Sequence, residues 1–469
     1  MGLGLVLPSP TACRAGPGFL REALPNHGKS NQGNGMTASN NATAAVAADA
    51  NANASEPIEK FSLFDPEVQS NPYAFYKAMH TQCPVYKVPD KNIYVVSKYA
   101  DVEACLRSPE TFSSTIERAT LLQDDDNSKA YVAILKQHGW EHVPTLQRAD
   151  PPQHSRYRKI IDGALNVRQV RELQPRLDAL AAELVDKFID RGEVDFLEEF
   201  ALPFPGIIAA ELIGLDARDY KRFTAWADNL QMYGGGKLTR ESIEASAHME
   251  VEMQQFFAGI FADRRQNPRE DLMTALLMAY EGDAPLSMHE LQNVMHQLIS
   301  AGYETVKTAL AHGVWQMVRF PEVVAELRAD RNLLPRFINE SLRWEPPVQG
   351  LWRIVKNDVE VAGTKIPKGA LCSVRFGAGN QDEAMFPDAR RFDLHRENAA
   401  HHLGFGKGTH FCPGASLARA EMMAAYTVLL DRMEDFQLAK PMPYPVHLPS
   451  AALSPMKELH LKFRKRATT

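Results

Sequence analysis

Between positions 287 and 320, apolar residues recur three and four apart: Met288, Leu291, Val294, Met295, Leu298, Ile299, Val306, Leu310, Val314 and Met317. That spacing lays one apolar stripe along a helix. Ser287 and Glu290 make a capping box at its start and Pro321 stops it. The pattern predicts a single helix over 287–320, about 50 Å long at 1.5 Å per residue. The same period predicts helices over 73–80, 100–106, 166–190, 217–233, 241–266, 271–280 and 414–433. Short apolar runs predict strands over 85–88, 93–96, 352–355, 359–361 and 370–374, with a hairpin turning at Gly363. The expected fold class is mainly α with a small β-sheet region, in one domain over 56–469. Residues 27–54 are Asn/Ala-rich and nearly without large apolar side chains, so burial cannot offset their ordering entropy. Residues 1–55 are expected to form a disordered leader.

Polar residues interrupt three of these patterns. Gly302, Glu304 and Thr305 sit in the middle of the long stripe. Glycine costs about 1 kcal/mol in a helix interior, so something must approach the backbone there, either a crossing helix or a ligand. Thr305 can bond back to a carbonyl one turn earlier and bend the helix. In RADPPQHSRYRK, Asp150 and Gln153 suggest a capping box, and His154 and Arg158 fall on one helix face. That face is either a solvated basic surface or an anion grip. In FINESLRW, Glu340 and Arg343 are within ion-pair reach, surrounded by Phe337, Ile338, Leu342 and Trp344. A pair so enclosed needs further hydrogen bonds and reads as a structural lock.

The chain's 469 residues are 45% hydrophobic and 23% charged, with a formal net charge of −6. These are globular values, and the charge gives no bulk attraction to nucleic acid. Five scattered cysteines form no CxxC or CxxCH pattern. A disulfide framework, a zinc ribbon and covalent c-type haem are therefore unsupported, and a reducing, cytoplasmic setting is expected. No apolar run reaches the roughly 18 residues of a membrane span, so no membrane anchor is expected.

One cysteine stands in an unusual place. FGKGTHFCPG, residues 405–414, puts Cys412 among Gly406, Gly408 and Gly414, just ahead of a predicted helix. Glycines allow positive φ and close backbone approach. The helix N-terminus favours a thiolate, which serves as nucleophile or metal ligand. His401, His402 and His410 make zinc the first rival, but their spacing matches no zinc knuckle and leaves Gly302–Thr305 unexplained. A planar iron macrocycle accounts for more: thiolate ligation at iron, cationic partners for its anionic side chains, and an apolar opposite face with a local acid and hydroxyl.

These residues carry a family resemblance. Phe405-Gly406-x-Gly408-x-His410-x-Cys412-x-Gly414, followed by Leu417, Ala418 and Glu421, resembles the haem-binding signature of the cytochromes P450. AGYET at 301–305 is similar to that family's oxygen-activating motif, Glu340-x-x-Arg343 to its structural pair, and DPPQHSRYR to its early propionate-binding helix. The match runs from about residue 60 to the C-terminus. It implies haem b with Cys412 as axial iron ligand. His154, Arg158, Arg353 and His410 would hold the propionates, and Phe405 and Gly414 would flank the sulfur. Ala301 and Gly302 would border the oxygen site, and Thr305 and Glu304 would be the catalytic proton relay. Arg391, with Arg390 as competitor, would complete the lock of Glu340 and Arg343. Tyr303, bulkier than expected in such a motif, would face away from the haem. Ile299, Val348 and Leu351 would touch a small to medium hydrophobic substrate. The implied activity is hydroxylation of that substrate by O2, with electrons from a separate ferredoxin and its NAD(P)H-dependent reductase. That donor would dock near Arg156, Lys159, Lys407 and Arg419. A peroxide-driven peroxygenase and a non-catalytic haem-thiolate sensor are the alternatives.

Overall fold

The computed structural model describes residues 56–116, 125–231, 239–279, 284–440 and 447–467; the expected leader over 1–55 lies outside them. Helices dominate. Seven frame the site: α1 (Tyr99–Arg107), α2 (Gln153–Ala164), α3 (Arg240–Gln266), α4 (Met288–Gly302), α5 (Glu304–Arg319), α6 (Leu334–Trp344) and α7 (Ala415–Arg432). The predicted long helix is two helices. The capping box of Ser287 and Glu290 opens α4 as expected, but Tyr303, stretched to φ −115°, ψ −59° within the right-handed region, ends α4 and precedes α5. At this break Thr305 Oγ1 donates to the Ala301 carbonyl, 3.0 Å away. The side chain thus takes up a carbonyl that the interrupted ladder leaves. Phe320 closes α5, and Pro321 opens the next helix.

The start of α2 also differs from expectation. Asp150 does not cap it. Its carboxylate instead accepts from the Ser113 hydroxyl at 2.5 Å and the Ser114 amide at 2.9 Å. This ties α2 to a strand next to the site.

Five strands form the main sheet: β1 (Val85–Lys87), β2 (Ile93–Val96), β3 (Phe112–Ser113), β4 (Leu351–Val355) and, after a hairpin of β5 (Val359–Val361) and β6 (Thr364–Ile366), β7 (Leu371–Val374). Their order is β1-β2-β7-β4-β3, with β2 and β7 parallel and the other pairs antiparallel. The hairpin turns at Ala362 and Gly363, both with positive φ, as a two-residue turn of this kind requires. Strands Glu193–Asp195, Met433–Leu438 and His460–Lys465 form a second sheet.

The largest core packs α5, α6 and α7 together. The α5–α7 approach is close: a Cβ at Gly313 would fall 2.0 Å from the Tyr426 hydroxyl, which donates to the Ala309 carbonyl at 3.0 Å. This core holds one wall of the site rigid. Among the described residues Cys105, Cys372 and Cys412 are free cysteines. No helix among the described residues is long and apolar enough to cross a membrane.

Candidate active site

Between α4–α5 on one side and the loop before α7 on the other lies a cavity of about 1050 Å³, walled mostly by apolar side chains. That volume is at the top of the range for a single ligand, so the space suits a large flat group together with a small molecule.

The loop is shaped by its glycines. Gly406 and Gly408 both take φ of +68°, a region other residues enter only with strain. At Gly408 a Cβ would also lie 2.5 Å from the Leu106 carbonyl of α1. Gly414 differs from expectation: its φ is −83°, and it serves as N-cap of α7. The Cys412 amide donates to the Phe405 carbonyl at 2.9 Å, folding the loop back on itself. The sulfur thereby reaches the cavity wall beside Phe405 and Gly414. Burial pushes the Cys412 thiol up, while the Gly414 amide, Arg158 and Arg419 pull it down. Arg419 stacks on the Phe405 ring at 4.4 Å.

His154, Arg158, Arg353 and His410 are among the basic residues lining the same cavity. The two imidazoles lie 4.2 Å apart, centroid to centroid. His410 Nε2 is 3.1 Å from the Ser114 hydroxyl, and buried His154 leaves Nδ1 without a hydrogen-bond partner. Arg353, on β4, is 4% exposed and donates to the neighbouring Trp352 carbonyl at 2.7 Å. Arg158 alone of the four has a carboxylate in ion-pair contact, Asp162 at 2.6 Å. Burial, unrelieved by a paired anion, lowers Arg353 to about 10. Burial and then Arg353, His154 and Arg158 lower His410 to about 3. Burial and then Arg158 lower His154. Two arginines beside two histidines whose protonation they oppose form an anion-binding arrangement. With a thiol on the same cavity and a glycine loop shaped for close approach, these residues fit haem and its propionates.

Across the cavity, Ala301, Gly302 and Thr305 face inward. A Cβ at Gly302 would meet only Ala209 Cβ, at an ordinary 3.9 Å, so no helix crossing demands glycine there. Glu304 turns the other way. It is absent from the cavity wall, pairs with Lys307 at 2.5 Å and accepts from the Thr308 hydroxyl at 3.2 Å. Burial raises its carboxyl despite Lys307. Tyr303 is also turned from the cavity, buried beside Gly206.

Val348 and Leu351 line the cavity, whereas Ile299 does not. Helical phase points Ile299 into the cluster containing Met253, Phe257 and Met295. Leu298 and Ser300 take the wall positions instead; Leu298 was visible in the apolar stripe, and Ser300 carried no signal.

Beneath the loop, Arg343 meets Glu340 through two bonds of 2.7 Å, both residues fully buried. Arg343 also donates to the carbonyls of Asn380, Ala389 and Arg391. The third charged member is Arg396, whose Nε donates to Glu340 at 3.2 Å. Neither Arg391 nor Arg390 takes that place. Arg391 offers its carbonyl while its side chain reaches Asp393, and Arg390 stacks on Tyr73. Arg156, expected on the docking surface, is engaged by Glu290 at 3.0 Å and by the Ala284 carbonyl.

Residues 232–463 match the family described as Cytochrome P450. Cyclomarin C epoxidase CymV of Salinispora arenicola is 33% identical over 78% of this chain and 90% of its own length. Cytochrome P450 107B1 of Saccharopolyspora erythraea is 33% identical over 80% of this chain and 91% of its own. The solved structure of cytochrome P450 CYP109Q5 from Chondromyces apiculatus superposes with a TM-score of 0.74 at 29% identity, covering 87% of this chain and 99% of that one.

Proposed function

The chain belongs to the cytochrome P450 family of haem-binding monooxygenases, and we propose that it hydroxylates a small to medium hydrophobic molecule in the cytoplasm. O2 is the oxidant, and the electrons come from a separate ferredoxin and its NAD(P)H-dependent reductase. In this reading Cys412 ligates the iron, and His154, Arg158, Arg353 and His410 hold the propionates. The bound haem supplies dioxygen activation and oxygen transfer, with thiolate donation favouring O–O cleavage.

The chain's own residues then have three tasks. Leu298, Val348 and Leu351 give an apolar wall that excludes water and orients a substrate C–H bond by shape. Thr305 holds a hydroxyl proton at the cavity face, anchored by the Ala301 carbonyl. Glu304, next to Thr305 at the start of α5 but turned from the cavity, holds a carboxyl raised by burial and is the proposed proton supply behind Thr305. This inward hydroxyl favours O2 chemistry over a peroxide-driven reaction and over a sensor without turnover, neither of which needs proton delivery there.

The observation that carries the reading is the meeting of the Cys412 sulfur with two arginines and two histidines on one cavity. Absorption of the reduced, carbonyl-loaded protein tests it. The expected result is a Soret band red-shifted by thiolate ligation, lost in Cys412→Ser. A folded, pigmented protein without that shift would overturn the assignment. Turnover with ferredoxin, reductase and O2, but little with peroxide alone, is expected of the full reaction.

A further inference from the structure

A second group of side chains converges on one carboxylate away from the cysteine loop. Glu250, midway along α3, is 1% exposed. Its Oε1 lies 2.5 Å from His142 Nε2 and 2.9 Å from His296 Nδ1. The Tyr131 hydroxyl donates to its other oxygen, Oε2. The imidazoles of His142 and His296 stand edge to face with centroids 4.8 Å apart. One ligand atom from each of His142, Glu250 and His296 can be chosen so that all lie within 4.8 Å of one another. The three come from separate segments: the stretch after helix Asp125–His138, α3, and α4. His296 also reaches the cavity wall.

We propose that His142, Glu250 and His296 bind a divalent transition-metal ion of the zinc class, clasping the His142 segment and α3 to α4. Two imidazoles and one carboxylate are a nitrogen–oxygen set that such ions favour. At bond lengths of about 2.0–2.1 Å in a tetrahedral site, neighbouring donor atoms stand roughly 3.3 Å apart. The carboxylate-to-imidazole distances need to open by less than about 1 Å to reach that spacing. The Glu250 carboxylate lies within hydrogen-bond distance of both imidazoles and the Tyr131 hydroxyl, which places it as the anionic ligand of the set. Tyr131 fixes the second oxygen and so orients the first, the usual outer support of a metal-ligating carboxylate. The His142 side chain is 20% exposed, which provides a path for the ion. On binding, His142 keeps its proton on Nδ1 and His296 on Nε2, so both offer a lone pair to the ion.

A buried ion network of two charged histidines around Glu250 is the competing account, and metal analysis separates the two. Purified holoprotein is treated with chelator, dialysed and titrated with zinc chloride. Zinc per chain is read by elemental analysis with haem iron as internal count, alongside calorimetry and the thermal midpoint. One tightly held zinc per chain and a raised midpoint are expected. His142→Ala, chosen because that side chain is partly exposed and the fold tolerates its loss best, is expected to weaken binding at least tenfold, and His296→Ala likewise. No zinc retained above buffer level overturns the proposal. So does stoichiometric zinc that neither variant weakens, since that ion sits elsewhere.

Discussion

Glu304 and Thr305 are adjacent in sequence yet face different directions. The Thr305 hydroxyl bonds the Ala301 carbonyl at the cavity, while the Glu304 carboxylate lies 2.5 Å from the Lys307 ammonium on the far side. Both stand in the first turn of α5, where successive side chains point about 100° apart. Thr305→Ala removes the cavity-facing hydroxyl that bonds the Ala301 carbonyl. Product per NAD(P)H is expected to fall roughly 10-fold or more, as for loss of a positioned proton donor, with peroxide released instead. An unchanged ratio of product to reductant would remove Thr305 from proton delivery.

The Glu304–Lys307 pair makes a second, separable prediction. Removing one partner of a buried pair leaves an uncompensated charge. Lys307→Met should destabilise the fold by about 3 kcal/mol, the lower end for such pairs because Lys307 is partly exposed. Glu304→Gln in the same background should recover much of that loss, since no lone charge then remains. Denaturant titration of the three variants reads the difference; a double variant no more stable than Lys307→Met would mean the pair is not the source.

Much of this arrangement was legible in the sequence because its signals are local. Gly302 and Thr305 flagged the break within the 287–320 stripe, although the stripe's unbroken apolar period hid that it separates two helices. The cysteine loop was legible because glycine spacing encodes backbone shape directly. Helix Pro203–Leu212 is not among the helices the period predicts; its prolines lie in the first turn, where proline fits. The lock's third arginine was not legible. Arg390, Arg391 and Arg396 are close in sequence, and only tertiary packing decides which one Glu340 receives. Ile299 against Leu298 is a question of helical phase relative to a cavity, which one-dimensional spacing does not fix. His142, Glu250 and His296 are too far apart in sequence to form a motif at all.

The lock can be tested through the arginine that sequence did not single out. The Arg396 side chain is 7% exposed and bonded to Glu340, whereas that of Arg391 is 67% exposed and bonded to Asp393. Arg396→Met should cost about 2 kcal/mol or more and lower haem retention, since a buried carboxylate loses one of its donors. Arg391→Ala should stay within about 0.5 kcal/mol of the parent, as for ordinary surface changes. Equal losses would return Arg391 to the lock.

His402 gives the chain an acid sensitivity. It is buried, and its Nδ1 accepts from the Gly404 amide at 3.0 Å, a bond only the unprotonated nitrogen can make. Burial and then Arg419, Lys407 and Arg343 lower it to about 3. The unfolded chain holds His402 near 6.5. Between those values the unfolded state binds more protons, so stability rises with pH. The contribution is full above 6.5 and declines as pH falls toward 3. From pH 6.5 to 5 the loss from this residue is about 2 kcal/mol. Urea midpoints over that interval should fall in the parent and fall less in His402→Gln; parallel slopes would place the acid sensitivity in another group.

Gly408 and Gly414 separate backbone shape from proximity to sulfur. Gly408 has φ of +68°, and a Cβ there would lie 2.5 Å from the Leu106 carbonyl, main chain that cannot swing aside. Alanine must pay about 1–2 kcal/mol for that φ alone and then push α1 away. Gly414 has φ of −83°, and a Cβ there would lie 3.9 Å from Cys412 Sγ, an ordinary contact. Gly408→Ala is therefore expected to lower haem content and thermal midpoint sharply, and Gly414→Ala to leave the midpoint nearly unchanged while altering the Soret position. The absorbance ratio of haem to protein, with melting curves of both variants, reads the contrast. If Gly408→Ala kept full haem content and midpoint, the loop's path against α1 would not be what selects glycine there.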